Sequence, residues 1–264
     1  MIVGLVPNSH RNATRRVANE VALIMESQGL RVIRDWKEGA EVPDLLVVFG
    51  GDGTILGTAR RCGHLGIPLL TINLGRVGFL AELEAHELSQ YLPRIIAGDY
   101  HLEKRMMLKV TVRREGGPIF QSEALNEAAI LRQGVARMIR LQILIDRKPL
   151  IRYAADGIIC ATPTGSTAYS LSAGGPVLMP ETQLMVITPV CPFAPALKPL
   201  VMEGNHNLTI IPENEKAVLT VDGQDTVTLS PGDDVEIERS PYHISLVRLK
   251  EQSILEVLGR KLQL

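Results

Sequence analysis

Apolar and polar positions alternate along the first hundred residues in the order strand, turn, helix, strand. Ile2 to Val6 make a short apolar run and "VPNSHRN" a polar turn. Ala13 to Gln28 then carries Val17, Val21 and Ile24 at helical spacing before Gly29 ends it. Leu30 to Ile33, Leu45 to Phe49 and Pro68 to Asn73 read as strands, with a helix from Thr54 to Cys62 between the last two. Wholly apolar strands such as "LLVVF" suit a sheet buried on both faces, and their alternation with helices predicts a parallel sheet.

Beyond Tyr100 the pattern changes. "MLKVTVRR", "IRLQILID", "GIICAT", "LTIIP", "AVLTVDG" and "DVEIERS" are short strands divided by Gly, Pro and Asp turns. The predicted architecture is α/β: an N-terminal α/β domain with a parallel sheet over residues 1–100, then a C-terminal β-rich domain over 101–240. Residues 241–264 form a last segment in which Ile254, Leu255, Val257 and Leu258 have helical spacing. That segment is expected to pack back on the N-terminal domain.

With 264 residues, 45% hydrophobic and 22% charged, the chain can bury a substantial core and reads as a soluble globular protein. Its formal net charge of -1 provides no general attraction to nucleic acid or to an acidic membrane surface, and neither is expected as a partner. Cys62, Cys160 and Cys191 lack paired spacing, which fits reduced thiols in the cytoplasm, and the histidines are scattered without metal-ligand spacing. No apolar run reaches the ~20 residues of a membrane span.

Four stretches could carry chemistry. "LVVFGGDGT" places Gly50, Gly51, Asp52, Gly53 and Thr54 between an apolar strand and a helix, where open α/β sheets bind ligands. Glycines there let backbone N–H groups approach phosphate, and a helix start adds its positive end. Asp52 repels phosphate unless it meets a cation or accepts a proton, so its presence points to a reaction; a plain turn with Asp as cap is equally compatible.

"DGIICATPTGSTAYSLSAGGP" follows a strand with the hydroxyls of Thr162, Thr164, Ser166, Thr167, Ser170 and Ser172, and with Tyr169 as an aromatic cover for a base or sugar. The plainer alternative is a Ser/Thr-rich loop capping a helix. "LNEAAI" sets Asn126 and Glu127 side by side, able to take both hydroxyls of a ribose or to end a strand. "VDGQ", Val221 to Gln224, reads alone as an Asp-Gly hairpin turn.

Together, in this order, the four stretches and "LGRVGFLAE" resemble the bacterial NAD kinase family over nearly the whole chain. The resemblance implies a phosphotransferase with an alcohol acceptor, moving the γ-phosphate of ATP to the 2′-hydroxyl on the adenosine ribose of NAD. It makes Asp52 the catalytic base and the Gly50 to Thr54 loop the phosphate holder. It gives NAD binding to Asp52, Gly53, Phe79, Asn126, Glu127, Arg137, Asp156, Thr164, Thr167, Ala168, Tyr169, Ser170, Leu171, Ser172 and Gln224. Mg²⁺ or another divalent cation is expected with ATP, polyphosphate is an alternative donor, and a homodimer or homotetramer is implied. Ala154, Phe193 and Lys198 depart from the family's usual residues. The rival readings are a lipid or sugar kinase sharing the glycine-aspartate loop, and a non-catalytic NAD-binding sensor.

Overall fold

The computed structural model describes residues 1–8, 12–75, 78–134, 137–194 and 197–250, with Glu256 and Gly259. The chain divides into two compact units, Met1–Lys104 with Tyr242–Leu264, and Arg105–Pro241.

In the first unit β1 (Ile2–Pro7), α1 (Asn12–Ser27), β2 (Arg31–Ile33), β3 (Leu45–Phe49) and α2 (Asp52–Cys62) follow one another. β4 (Leu69–Asn73), β5 (Leu83–Glu84) and α3 (Leu88–Ala97) complete the run. The strands β2, β1, β3 and β4 lie side by side and pair in parallel, as the buried apolar runs lead one to expect. Every residue of β3 and of β4 is buried. Registers Pro7↔Phe49 and Phe49↔Ile72 bring the carboxyl ends of β1, β3 and β4 level, so the chain leaves all three at one edge. That edge carries the glycine-aspartate loop. Leu5, Val47, Phe49, Ile72, Ala22, Met25, Leu92 and Ile95 pack into one buried cluster beneath it.

Boundaries shift where backbone bonds compete with pattern. The Leu30 N–H closes onto Met25 O at 3.1 Å and so finishes α1, which leaves β2 to begin at Arg31. α2 begins at Asp52, two residues before the predicted start, with Gly51 as its N-cap. α3 was not predicted; Pro93 stands inside it, and its glycine end, Gly98, adopts φ 70. The predicted turn at Ser9, His10 and Arg11 and the helix bearing Ile254, Leu255, Val257 and Leu258 lie outside the described residues.

The chain enters the second unit within β6 (His101–Arg114) and leaves it within β17 (Asp234–Arg248). Between them run β7 (Gly117–Ala124), β8 (Glu127–Arg132), β9 (Ile139–Ile145), β10 (Lys148–Ala155), β11 (Gly157–Ala161) and the short α4 (Tyr169–Ser172). β12 (Leu184–Val190), β13 (Leu200–Glu203), β14 (Leu208–Pro212), β15 (Ala217–Val221) and β16 (Asp225–Leu229) follow. One antiparallel sheet has the order β13, β12, β11, β8, β15, β16. A second set joins β10, β9, β14 and the first part of β17, while β6 pairs with β7. Side chains from both sets, among them Val110, Ile130, Leu141, Ile158, Leu219 and Val235, meet in one buried cluster, the packing of a β-sandwich.

The last described stretch of the chain is tied to the first unit by charge. Arg248 bridges Glu82 at 3.0 Å and Glu103 at 3.2 Å, and Glu82 also accepts the backbone N–H groups of Leu249 and Lys250. The Glu82 side chain is only 6% exposed, so it depends on its partners for the solvation that water would supply. Arg248→Met, which strands two carboxylates, is expected to cost about 3 kcal/mol of unfolding free energy in urea denaturation.

Candidate functional site

Asp52 sits in the first turn of α2 and does not cap it. Its carboxylate turns to the segment after β4, where Oδ2 accepts the Phe79 N–H at 3.1 Å and Oδ1 the Leu80 N–H at 3.3 Å. Gly78 stands so close that a Cβ there would run into the carboxylate. The segment is itself fastened: Thr71 Oγ1 donates to Leu80 O and accepts from the Glu82 N–H. The aspartate is thus aimed by two amides on a braced strand, and each oxygen keeps lone-pair capacity for a further proton donor.

The glycines around it differ in purpose. Gly50 has φ 156, and a Cβ would stand 2.5 Å from Thr54 Oγ1, which is held by the Asn8 side-chain amide at 2.8 Å. Packing therefore requires glycine at 50. At Gly51 and Gly53, by contrast, a Cβ would meet no atom within 4 Å among the described residues, which leaves space for a ligand beside the helix N-terminus.

In the second unit, register gathers a second group. Glu127, at the start of β8, pairs with Ala161 at the end of β11, and Ala128 pairs with Val221 at the end of β15. "LNEAAI", the hydroxyl-rich stretch and "VDGQ" consequently leave the sheet at one end. Thr162 Oγ1 donates to Leu125 O at 2.6 Å, and its N–H donates to Asn126 O at 2.8 Å. Gly165 lies directly on the Asn126 peptide, with no room for a Cβ.

Most hydroxyls of this stretch hold the protein together. Ser166 bonds Pro163 O and the Leu178 N–H, Thr167 bonds Thr164 O, and Ser170 bonds Thr188. Ser166 and Ser170 are fully buried, whereas Tyr169 is exposed, Ser172 is exposed, and Ala168 and Leu171 are half-buried. Thr164 accepts from Arg105, itself buried. Asp156 and Arg137 are engaged with Arg132 at 2.7 Å and Glu215 at 3.2 Å. Gln224 closes the hairpin turn onto Val221 O.

Among the described residues Glu123 Oε2, Tyr153 Oη, Asn126 Oδ1 and Glu127 Oε2 are buried without a hydrogen-bond partner, and the last two belong to adjacent residues at the head of β8. Buried polar atoms are nearly always paired, and these two adjacent acceptors are free to take a ligand's donors. Burial, and then the neighbouring Asp222 charge, push the Glu127 carboxyl up to about 7, against which the Tyr169 backbone N–H pulls it down.

Models of the ATP-NAD kinase N-terminal and C-terminal domains match residues 36–100 and 125–249. The chain belongs to the ATP-NAD kinase family. It is 40% identical over 243 residues to the NAD kinase of Carboxydothermus hydrogenoformans, covering 91% of this chain and 87% of that one. Its fold is similar to that of yeast NADH kinase, crystallised with NADH (TM-score 0.90, 26% identity, 100% of this chain and 87% of the other). It is also similar to an NAD kinase from Archaeoglobus fulgidus in complex with ATP (TM-score 0.78, 27% identity, 100% and 99%). No helix among the described residues of this NAD kinase family member is long and apolar enough to cross a membrane.

Sequence reading had left out Gly78, Arg105 and the side chain of Asp222. Gly78 was legible only as one glycine in "VGFLAE", and nothing in the local pattern names its neighbour. Glu127, with a folded-state value of about 7 against 4.5 in the open chain, carries stability that is full below pH 4.5 and lost as pH rises through 7. Glu127→Gln is therefore expected to raise stability at pH 8, on the order of 1–3 kcal/mol, with the gain nearly gone at pH 5. Thermal melts at the two pH values check it.

Proposed function

We propose that the Asp52 carboxylate is the general base in the transfer of the ATP γ-phosphoryl group to the 2′-hydroxyl on the adenosine ribose of NAD. ATP-dependent phosphorylation of NAD is the activity of the family; the assignment of groups is our reading. The ribose oxygen forms a bond to the γ-phosphorus, the bond to the ADP oxygen breaks, and the hydroxyl proton passes to Asp52. What carries the reading is the aim of that carboxylate, at a helix N-terminus and fixed by the Phe79 and Leu80 amides.

In this reading phosphate oxygens lie against the Gly50 to Thr54 loop, where Gly51 and Gly53 leave space beside the helix N-terminus. Asn126 and Glu127 take the ribose hydroxyls with their unpartnered atoms, and Tyr169 covers the base. Phe79, Arg137, Asp156, Thr164, Thr167, Ala168, Ser170, Leu171, Ser172 and Gln224 complete the NAD contacts, several of them by supporting the loop. No group of three or more His, Cys, Asp or Glu among the described residues is arranged for a metal. The divalent cation of this reading arrives on the ATP phosphates, where it neutralises charge. We also assign the enzyme to the cytoplasm, and to a homodimer or homotetramer; exposed Leu200 and Val201 on the edge strand β13 support self-association.

Asp52→Asn is expected to lower kcat by about 10²- to 10⁴-fold while leaving NAD binding nearly unchanged, measured as NADP formed from NAD, ATP and Mg²⁺. Near-normal turnover would remove Asp52 from the role. Chelating divalent cations from the assay is expected to abolish NADP formation, and restoring Mg²⁺ to recover it.

A further inference from the structure

A turn that only reverses the chain has no use for a buried carboxylate that reaches another strand. Asp222 (φ 50) and Gly223 (φ 64) join β15 to β16, with the Gln224 N–H closing onto Val221 O at 3.0 Å. Backbone bonds suffice for that, and Asn or Gly at the same position would make the turn. The Asp222 side chain instead leaves its own hairpin. One oxygen accepts the Leu125 N–H at 2.9 Å; the other accepts the Asn126 and Glu127 N–H groups at 2.8 and 3.0 Å. The Asp222 N–H in turn donates to Glu127 O at 2.9 Å.

Three successive N–H groups converge on one carboxylate only if their peptides bend around it, because in an extended strand they alternate in direction. The bend lies at the head of β8 and is clamped from its other side by Thr162 and by Gly165 against the Asn126 peptide. It carries Asn126 Oδ1 and Glu127 Oε2, two adjacent buried atoms without partners among the described residues.

We infer that Asp222 is a positioning residue for the phosphate acceptor: its carboxylate holds the Leu125–Glu127 backbone in the bend that presents the Asn126 amide and the Glu127 carboxyl to NAD. The inference rests on the reading that those two side chains hold the dinucleotide. Asp222 touches no substrate in this role; it acts through the peptide chain and through its charge. The charged group acting on Glu127 is Asp222 from the β15–β16 hairpin, and α4 contributes the Tyr169 backbone N–H. A ribose hydroxyl donates to an ionised Glu127, so NAD binding weakens as pH falls through the titration of that carboxyl. Removing the Asp222 charge lets the carboxyl ionise at lower pH and moves the weakening with it.

Steady-state kinetics with NAD and ATP varied separately, over a range of pH, test this on Asp222→Asn, Asp222→Glu and Asn126→Ala. Asp222→Asn replaces one acceptor oxygen by an N–H₂ that faces the Leu125 N–H. It is expected to raise KM for NAD roughly 10- to 100-fold and leave KM for ATP unchanged. It should also shift the acid limb of kcat/KM for NAD to lower pH, which a purely structural lesion would not do. Asp222→Glu keeps the charge but not the reach, and is expected to raise KM for NAD with the acid limb in place. Wild-type KM for NAD and an unmoved acid limb in Asp222→Asn, with Asn126→Ala impaired, would overturn the role of Asp222 and leave the NAD reading standing. Wild-type KM for NAD in Asn126→Ala would remove that reading and the inference together. Should Asp222→Asn not fold, an unchanged KM for NAD in Asp222→Glu overturns the inference by itself.

Discussion

A carboxylate that accepts backbone N–H groups from a distant loop is the interaction on which both halves of this chemistry depend. Asp52 does it with Phe79 and Leu80, and Asp222 with Leu125, Asn126 and Glu127. Charge-assisted bonds of this kind are stronger than neutral ones, and they fix direction as well as distance. A side chain thereby sets the path of a loop that no regular ladder would hold. The two cases run in opposite senses. At Asp52 the amides orient the acid; at Asp222 the acid orients the amides and the side chains they carry.

The sheets make these meetings possible. Parallel registers in the first unit bring the ends of β1, β3 and β4 level, so that the turn after β3 and the segment after β4 leave from one edge. Antiparallel registers in the second unit do the same for β8, β11 and β15. Glycines then decide how near the loops come: Gly78 lets the chain pass over Asp52, and Gly165 lets the hydroxyl-rich loop lie on the Asn126 peptide. The cost of the arrangement sits in Glu127, buried beside a like charge, as expected where binding competes with stability.

Much of the scaffold was legible because burial leaves a periodic trace. "LLVVF" announced a strand covered on both faces, and β3 is that strand. The family resemblance rested on several stretches taken together in one order, and the domain models agree with it. What stayed hidden was side chain to backbone bonding. Asp222 finds its partners 95 to 97 residues earlier, and a backbone N–H has no residue type by which a sequence could name it. The hydroxyl-rich stretch likewise gave no sign that Ser170 would bond Thr188. Helix α3 went unread; Pro93 stands inside it, where it takes one N–H out of the helix ladder.

In the proposed reaction Asp52, aimed by two amides, receives the proton of a ribose hydroxyl. A crystal structure of the chain with NAD bound tests it most directly. The carboxylate is expected still on the Phe79 and Leu80 N–H groups, with the 2′-oxygen about 2.6–3.2 Å from one of its oxygens. A well-ordered NAD whose 2′-oxygen lies far outside hydrogen-bond reach of that carboxylate would contradict it.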